Sequence, residues 1–415
     1  MYNKYEMKGG MAVWKLPAGA EFVLNRLHQQ GYQAYVVGGC VRDTLLAREP
    51  KDWDVCTNAL PAQMQRVFAD CHVIETGLQH GTLTVMYNHE PFEVTTFRVD
   101  GEYTDHRHPD EVIFVADVED DLSRRDFTVN AMAWSPETGL VDAFGGQEDL
   151  AAGVIRCVGD PRKRFDEDAL RIMRALRFAA VYGFMIDPAT DEAIHALKET
   201  LVDVAAERIR VELMKLLCGQ GAGDILRAYP DVLQVIMPPL AQVDWSATVA
   251  AVEAVDAASE TLRLTMLLHQ LSPAEAKAVL LSLKPDNFTR DWVLMLVTNQ
   301  DYPFQPSRHS LLTALSLFGE TEVYELLAVR RAKGYPDVEA LEDVLGDVLF
   351  DGICYSVKDM AINGRDLMAL GVKGKVVGEC LKHLLSLLLA ESIPNEREAL
   401  LDAAKTHLAE QNGII

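Results

Sequence analysis

Residues 36–43 read VVGGCVRD, and Asp52-Trp53-Asp54 follows nine residues after Asp43. The apolar run 34–37 (AYVV) predicts a short buried strand that ends at Gly38-Gly39 and passes into a helix over 41–47. A strand, a glycine turn and a helix in that order let backbone N–H groups approach a phosphate closely, and Arg42 can add a guanidinium. The stretch is neither a Walker A loop nor a GxGxxG fingerprint. A further strand is predicted over 53–56, and residues two apart on a strand share a face, so Asp52 and Asp54 would stand side by side. Two adjacent carboxylates repel unless a cation lies between them, and hard oxygen ligands suit Mg²⁺ that also holds substrate phosphates.

Working outward, the pattern predicts helices over 21–30 and 61–68 and β-rich runs over 72–76, 82–87 and 92–97. The first 150 residues thus mix strands and helices, whereas from Phe165 onward nearly every periodic segment is helical. The fold class is α+β, a mixed-sheet domain followed by a helical array without a fixed repeat. Glu93, in PFEVTTFR (91–98), is the candidate third carboxylate of a two-metal nucleotidyl-transfer site, with a plain surface glutamate as the equal alternative. The charge-dense segment 100–115, DGEYTDHRHPDEVIFV, reads as a mobile loop.

At about 150 residues per domain, 415 residues suggest two to four domains. The formal charge of −23, from 62 acidic against 39 basic residues, excludes a protein that coats nucleic acid or anionic membrane indiscriminately. It leaves room for a local basic channel. The most apolar short run, LLSLLLA at 384–390, is far below the roughly 18–20 residues of a membrane span. The first residues, MYNKYEMKGGMAVWKL, lack the apolar core of a secretory signal. Seven scattered cysteines with no CxxC pair read as reduced thiols, so the expected location is cytoplasmic.

Two further stretches carry arginines. In RRDFTVN (124–130), Arg124 and Arg125 can clamp phosphates; the alternative is an ion pair with Asp126 at a helix start. In DPRKRFDEDALRIMRALRFAA (160–180), six basic residues face four acidic ones. A helix is expected from Glu167, burying Leu170, Met173 and Leu176 and presenting Asp168, Arg171, Arg174 and Arg177 along another face. With no glutamate four residues earlier to balance them, these arginines would call for an anionic partner. Asp168 and Arg171 also suggest a base reader. Cytosine and adenine each offer an amino donor beside a ring-nitrogen acceptor, which a carboxylate and a guanidinium would match while rejecting uracil and guanine. The alternative is that the two residues pair with each other and only stiffen the helix.

Together, GGCVRD with DWD, RRDFTVNAM (124–132) and RFDEDALRIMRALRF (164–178) resemble the class II tRNA nucleotidyltransferase and bacterial poly(A) polymerase family, within the DNA polymerase beta nucleotidyltransferase superfamily. ERIRVELMKLL (207–217) is similar to that family's further neck motif, and 360–395 is similar to the tail of bacterial CCA-adding enzymes. The resemblance implies a polymerase-beta-like head over 12–150, a neck over 151–220, a body over 221–335 and a tail over 336–415. It implies Asp52 and Asp54 as Mg²⁺ ligands and Gly39 and Arg42 as triphosphate contacts. Arg125, Asp168, Arg171, Arg174 and Arg177 would hold incoming ATP or CTP. It implies that the 3′-hydroxyl of tRNA attacks the α-phosphate, building CCA without a template. Partial addition of CC or A alone, poly(A) synthesis, and a non-catalytic RNA- or nucleotide-binding relative stay open as alternatives. Where such relatives often carry a His-Asp metal-hydrolase pair, this chain has His269-Gln270 within RLTMLLHQL (263–271), which reads as a structural remnant.

Overall fold

The structure, a computed structural model, describes residues 14–100 and 112–411. They form two compact units, one reaching to Trp245 and including Val279–Pro285, the other made of Ser246–Ala278 and the chain from Asp286 on. The boundary at Trp245 falls inside the range 221–335 expected for the body.

The first unit opens with α1 (Ala18–Gln29), whose Ala20, Val23, Leu24 and Leu27 recur at helical spacing and are fully buried on one stripe. Then come β1 (Ala34–Val37), α2 (Gly39–Leu45), β2 (Val55–Thr57), α3 (Pro61–Val67), β3 (Val73–Ile74), β4 (Thr82–Tyr87) and β5 (Glu90–Thr96). After β6 (Arg98–Asp100), β7 (Val112–Phe114) and α4 (Val118–Ser123), the chain returns through β8 (Ala133–Ser135) and β9 (Gly139–Val141). The main sheet has seven strands in the order β3-β4-β5-β2-β1-β8-β9. It is mixed, because β2 runs parallel to β5 while its other pairings are antiparallel. Central β1 is buried along its whole length: Tyr35 and Val37 join Phe97, Leu122 and Val158 in one apolar cluster.

Register positions the site. Val55 of β2 lies opposite Val94 of β5, so Asp54 and Glu93, one residue earlier on each chain, are neighbours. The strand expected over 53–56 begins only at Val55, which leaves Asp52 and Asp54 on the segment entering β2. That segment is still extended enough for the Val37 N–H to donate to the Asp54 carbonyl at 3.0 Å. The run expected over 72–76 shrinks to β3. Of 100–115, residues 101–111 lie outside the described residues, whereas β7 pairs with β6.

Next follow α5 (Gly146–Ala152), β10 (Val154–Ile155), α6 (Pro161–Glu167), α7 (Leu170–Tyr182), β11 (Met185–Ile186), α8 (Pro188–Leu197) and α9 (Ala206–Leu217). One expectation is corrected here. No single helix starts at Glu167: α6 ends there, Asp168 is extended at φ −145° and ψ 103°, and α7 begins at Leu170. The cause is local, since the Asp168 carboxylate accepts the Leu170 N–H at 3.1 Å and so competes with helix continuation. As expected, the chain after Phe165 is nearly all helical, the two-residue β11, paired parallel with β10, being the exception. Leu170, Met173 and Leu176 do share the buried face of α7.

The second unit is a helical array with helices at Glu260–Leu268, Asn287–Asn299, Arg308–Phe318, Glu320–Ala332 and Val338–Phe350. Its last part has its own core, in which Ile362, Leu367, Cys380, Leu384 and Leu400 are buried together. No helix among the described residues is long and apolar enough to cross a membrane.

Gly146, at the start of α5, marks a close crossing. A Cβ there would lie 2.4 Å from the Thr128 carbonyl oxygen and 2.8 Å from Met132 Cγ. Gly146→Ala is therefore expected to destabilise the first unit by about 1–3 kcal/mol through overpacking. Urea unfolding followed by circular dichroism measures this; an unchanged midpoint would show that the contact is not tight.

Candidate active site

Gly38 makes the turn from β1 into α2 with φ 77° and ψ −122°, a conformation that side chains with a Cβ resist. Space imposes the same choice, because a Cβ on Gly38 would meet Arg125 Nη1 at 2.8 Å. Arg125 thus lies against the turn, its Nη2 donating to buried Asp121 at 3.3 Å and its Nε buried without a hydrogen-bond partner. Arg124 pairs with Asp121 at 2.9 Å as well, so the ion pair expected with Asp126 is replaced by one with Asp121, three residues back along α4.

Asp52, Asp54 and Glu93 are all exposed beside this turn. Lost hydration raises the Asp54 carboxyl above the ordinary carboxylate range, the Glu93 charge raises it further, Arg125 opposes, and Asp52 adds to the rise. Crowded carboxylates of this kind fit a hard divalent cation, their donors being oxygen alone. Among the described residues no three His, Cys, Asp or Glu side chains converge into a complete ligand set. Asp52, Asp54 and Glu93, though neighbours, do not close into such a set.

Arg42 turns inward. It is buried, donates to Asn130 Oδ1 and to Asp43 Oδ1 (2.9 Å), and lies over the rings of Phe178 (5.2 Å) and Tyr182 (4.8 Å) on α7. Asn130 in turn donates to Asp126 at 3.1 Å. Asp126 also accepts from Arg174, 2.8 Å from Nε and 2.6 Å from Nη2. Arg174 Nη1 stands 3.8 Å from Glu212 of α9, and Glu212 accepts from Arg177 Nε at 2.5 Å. One polar chain therefore runs from the glycine turn through Arg42, Asn130, Asp126 and Arg174 to Glu212 and Arg177.

The expectation that the α7 arginines are uncompensated is corrected by this chain. Arg174 and Arg177 meet Asp126 and Glu212, while Arg171 pairs at 2.8 Å with Glu167, a glutamate that does stand four residues earlier. Asp168 and Arg171 do not pair with each other. Asp168 is held by Arg208 of α9 at 2.9 Å, and Arg171 by Glu167 and two backbone carbonyls. Sequence reading missed Asp121, Asp126, Asn130, Arg208 and Glu212 as site builders. RRDFTVN and ERIRVEL, quoted for other reasons, contain four of the five. In the second unit, His269 Nδ1 lies 2.6 Å from the Met266 carbonyl and Gln270 donates to Thr248 at 2.8 Å, packing contacts within the helical array.

A mixed sheet that sets a glycine turn beside an aspartate pair, with arginines converging from a following helix, defines a nucleotidyltransferase head. Residues 34–156 match the family model described as the poly A polymerase head domain. Residues 183–239 match a probable RNA- and SrmB-binding site of polymerase A, and 255–404 a putative tRNA nucleotidyltransferase domain 2. The chain is 34% identical over 414 residues to a CCA-adding enzyme of Leuconostoc mesenteroides, covering 97% of this chain and 100% of that one. It is 36% identical over 411 residues to a CCA-adding enzyme of Limosilactobacillus reuteri, covering 94% and 98%. The fold is similar to that of the Bacillus stearothermophilus CCA-adding enzyme solved in complex with CTP, with a TM-score of 0.76 and 29% identity over 95% of this chain and 98% of that one. The chain belongs to the CCA-adding enzyme family of tRNA nucleotidyltransferases.

The Asp126–Arg174 pair yields a test. Burial would raise the Asp126 carboxyl, but Arg174, Asn130 and Arg171 hold it well below the usual range. A depressed folded-state pKa adds stability above the unfolded value, near ~3.9, that is lost as pH falls through the folded value. Asp126→Ala is expected to cost about 1–3 kcal/mol at neutral pH, by leaving Asn130 and the half-buried Arg174 without their acceptor. Denaturant titrations at neutral pH and at acid pH should show the gap to the unsubstituted protein narrowing in acid.

Proposed function

We propose that this chain adds C and A to the 3′ end of tRNA from CTP and ATP, releasing pyrophosphate, with its site on the face formed by Gly38-Gly39, Asp52, Asp54, Glu93 and Arg125. The observation that carries the assignment of residues is the crowding of Asp54 by Glu93 and Asp52 beside a turn that only glycine can make. We assign head, neck, body and tail to 12–150, 151–220, 221–335 and 336–415, and the cytoplasm as the setting.

Asp52 and Asp54, with Glu93 one strand away, would hold Mg²⁺, which when bound neutralises phosphate charge and activates the attacking hydroxyl. The protein's own groups do the rest. Backbone N–H groups at the glycine turn and Arg125 Nη1 receive the triphosphate. Gly39 is open on this side, the nearest atom to a Cβ placed there being Arg42 Nη2 at 3.6 Å. Arg42 serves the triphosphate indirectly, by fixing the turn through Asn130 and the α7 rings. Asp168 and Arg171 accept and donate to the edge of C or A. Arg174 and Arg177, anchored on Asp126 and Glu212, keep α7 in place behind them.

Asp54→Asn separates chemistry from folding. Because the folded state favours the protonated carboxyl, its ionised form at neutral pH opposes folding, and a neutral amide removes that opposition. The variant is expected to lose nucleotide addition to tRNA lacking its CCA end, in a gel assay with CTP, ATP or both. Without added divalent cation its melting temperature should equal or exceed that of the unsubstituted protein. Near-normal addition by Asp54→Asn in Mg²⁺ would reject the site, and a lowered melting temperature would reject the crowding argument.

A further inference from the structure

The base reader leaves a defined set of unused hydrogen-bonding positions, and Arg208 sets it. An ionised carboxylate offers about four acceptor positions. On Asp168, Oδ1 accepts from the Leu170 N–H at 3.1 Å and from Arg208 Nη1 at 3.4 Å, and Oδ2 accepts from Arg208 Nη2 at 2.9 Å. Three of the four are filled and one, on Oδ2, stays open. On Arg171, Nη1 donates to the Arg164 carbonyl (3.2 Å) and to Glu167 Oε2 (2.8 Å), and Nη2 donates once, to the Arg124 carbonyl (3.2 Å). One Nη2 hydrogen and the Nε hydrogen remain. One acceptor and two donors complement the amino group, ring nitrogen and carbonyl of cytosine, and the amino group and ring nitrogen of adenine.

We propose that Arg208, through its forked pair with Asp168, is a specificity-determining positioning residue: it turns a carboxylate that could accept in several directions into one with a single open acceptor. This rests on the reading of Asp168 and Arg171 as the base reader. Arg208 is well placed for it. It lies near the start of α9, 40 residues from Asp168, with its side chain 29% exposed and that of Asp168 only 17% exposed. A planar fork holds both oxygens in one plane, which a lysine ammonium cannot do. Without the fork, Asp168 is pinned only by the Leu170 N–H and regains rotation about its side-chain bonds. It then presents more than one acceptor, in no fixed direction, and loses the edge pattern by which C and A are told from U and G.

The test measures incorporation of all four nucleotides into tRNA lacking its CCA end, together with thermal unfolding, for full-length Arg208→Met, Arg208→Lys and Asp168→Ala. Arg208→Met is expected to narrow the preference for CTP and ATP over UTP and GTP by about tenfold or more. Arg208→Lys should recover most of the lost stability and only part of the selectivity. A role confined to stiffening the junction of α7 and α9 would lower the melting temperature in Arg208→Met and leave the nucleotide preference unchanged; that result overturns the proposal. If Arg208→Met does not fold, Arg208→Lys decides, and full selectivity in it overturns the role of the fork. Asp168→Ala separates the two levels. Selectivity retained in Asp168→Ala removes the base reader itself and this proposal with it, whereas selectivity lost there but kept in both Arg208 variants removes this proposal alone.

Discussion

The buried contact between Asp126 and Arg174 is the constraint on which the rest of the first unit's chemistry depends. It joins the segment after α4 to α7, and through them the glycine turn to α9. On one side, Asn130 and Arg42 fix the Gly38 turn; on the other, Glu212 and Arg177 fix α7 against α9. Taking the Asp126 charge out of water costs several kcal/mol, and attraction to the half-buried Arg174 offsets this only where other hydrogen bonds complete the geometry. Here they do: Asp126 accepts from the Phe127 N–H, from Asn130 and twice from Arg174. A buried network satisfied at each member is rigid, and rigidity is what a site reading one base edge requires.

The exposed carboxylates follow the opposite logic. Sheet register brings Asp54 beside Glu93, and Asp54 is left in repulsion with Glu93 and Asp52, opposed by the Arg125 charge. The fold tolerates this because the surrounding sheet over-determines it: the Asp54 carbonyl is tied to β1, and Val55 and Val94 on either side of the pairing are fully buried. Repulsion of this kind persists only because the packed strands beneath hold the backbone in place.

Much of this was legible in the sequence, and the failures have physical causes. The glycine turn was legible because it depends on a local rule, backbone sterics at Gly38-Gly39, whereas the two-residue alternation expected at Asp52 and Asp54 falls before the strand begins at Val55. The buried face of α7 was legible from its period. The pairing of the arginines was not, because Arg174 meets Asp126 from 48 residues away, Arg177 meets Glu212 from 35 and Arg208 meets Asp168 from 40. Periodicity carries no information at that range. Glu167 is different. It stands four residues before Arg171 and was readable, but treating Asp168 and Arg171 as parts of one helix hid both the pair and the break between them. Asp168 looked helical by spacing and is extended because its side chain caps the next helix, a competition that period counting does not register.

The same counting shows which discrimination the Asp168 and Arg171 pair leaves undecided. On the proposed reading, Asp168 has one open acceptor position and Arg171 two open donors, fixed by partners that belong to the protein and not to the substrate. An amino group beside a ring nitrogen satisfies that pattern on either base, so the reader excludes U and G without separating C from A. A purine is larger than a pyrimidine by a fused ring, and a rigid reader cannot adjust its own position to absorb the difference. On that reading the choice between the two bases rests on something other than the hydrogen-bonding positions of Asp168 and Arg171.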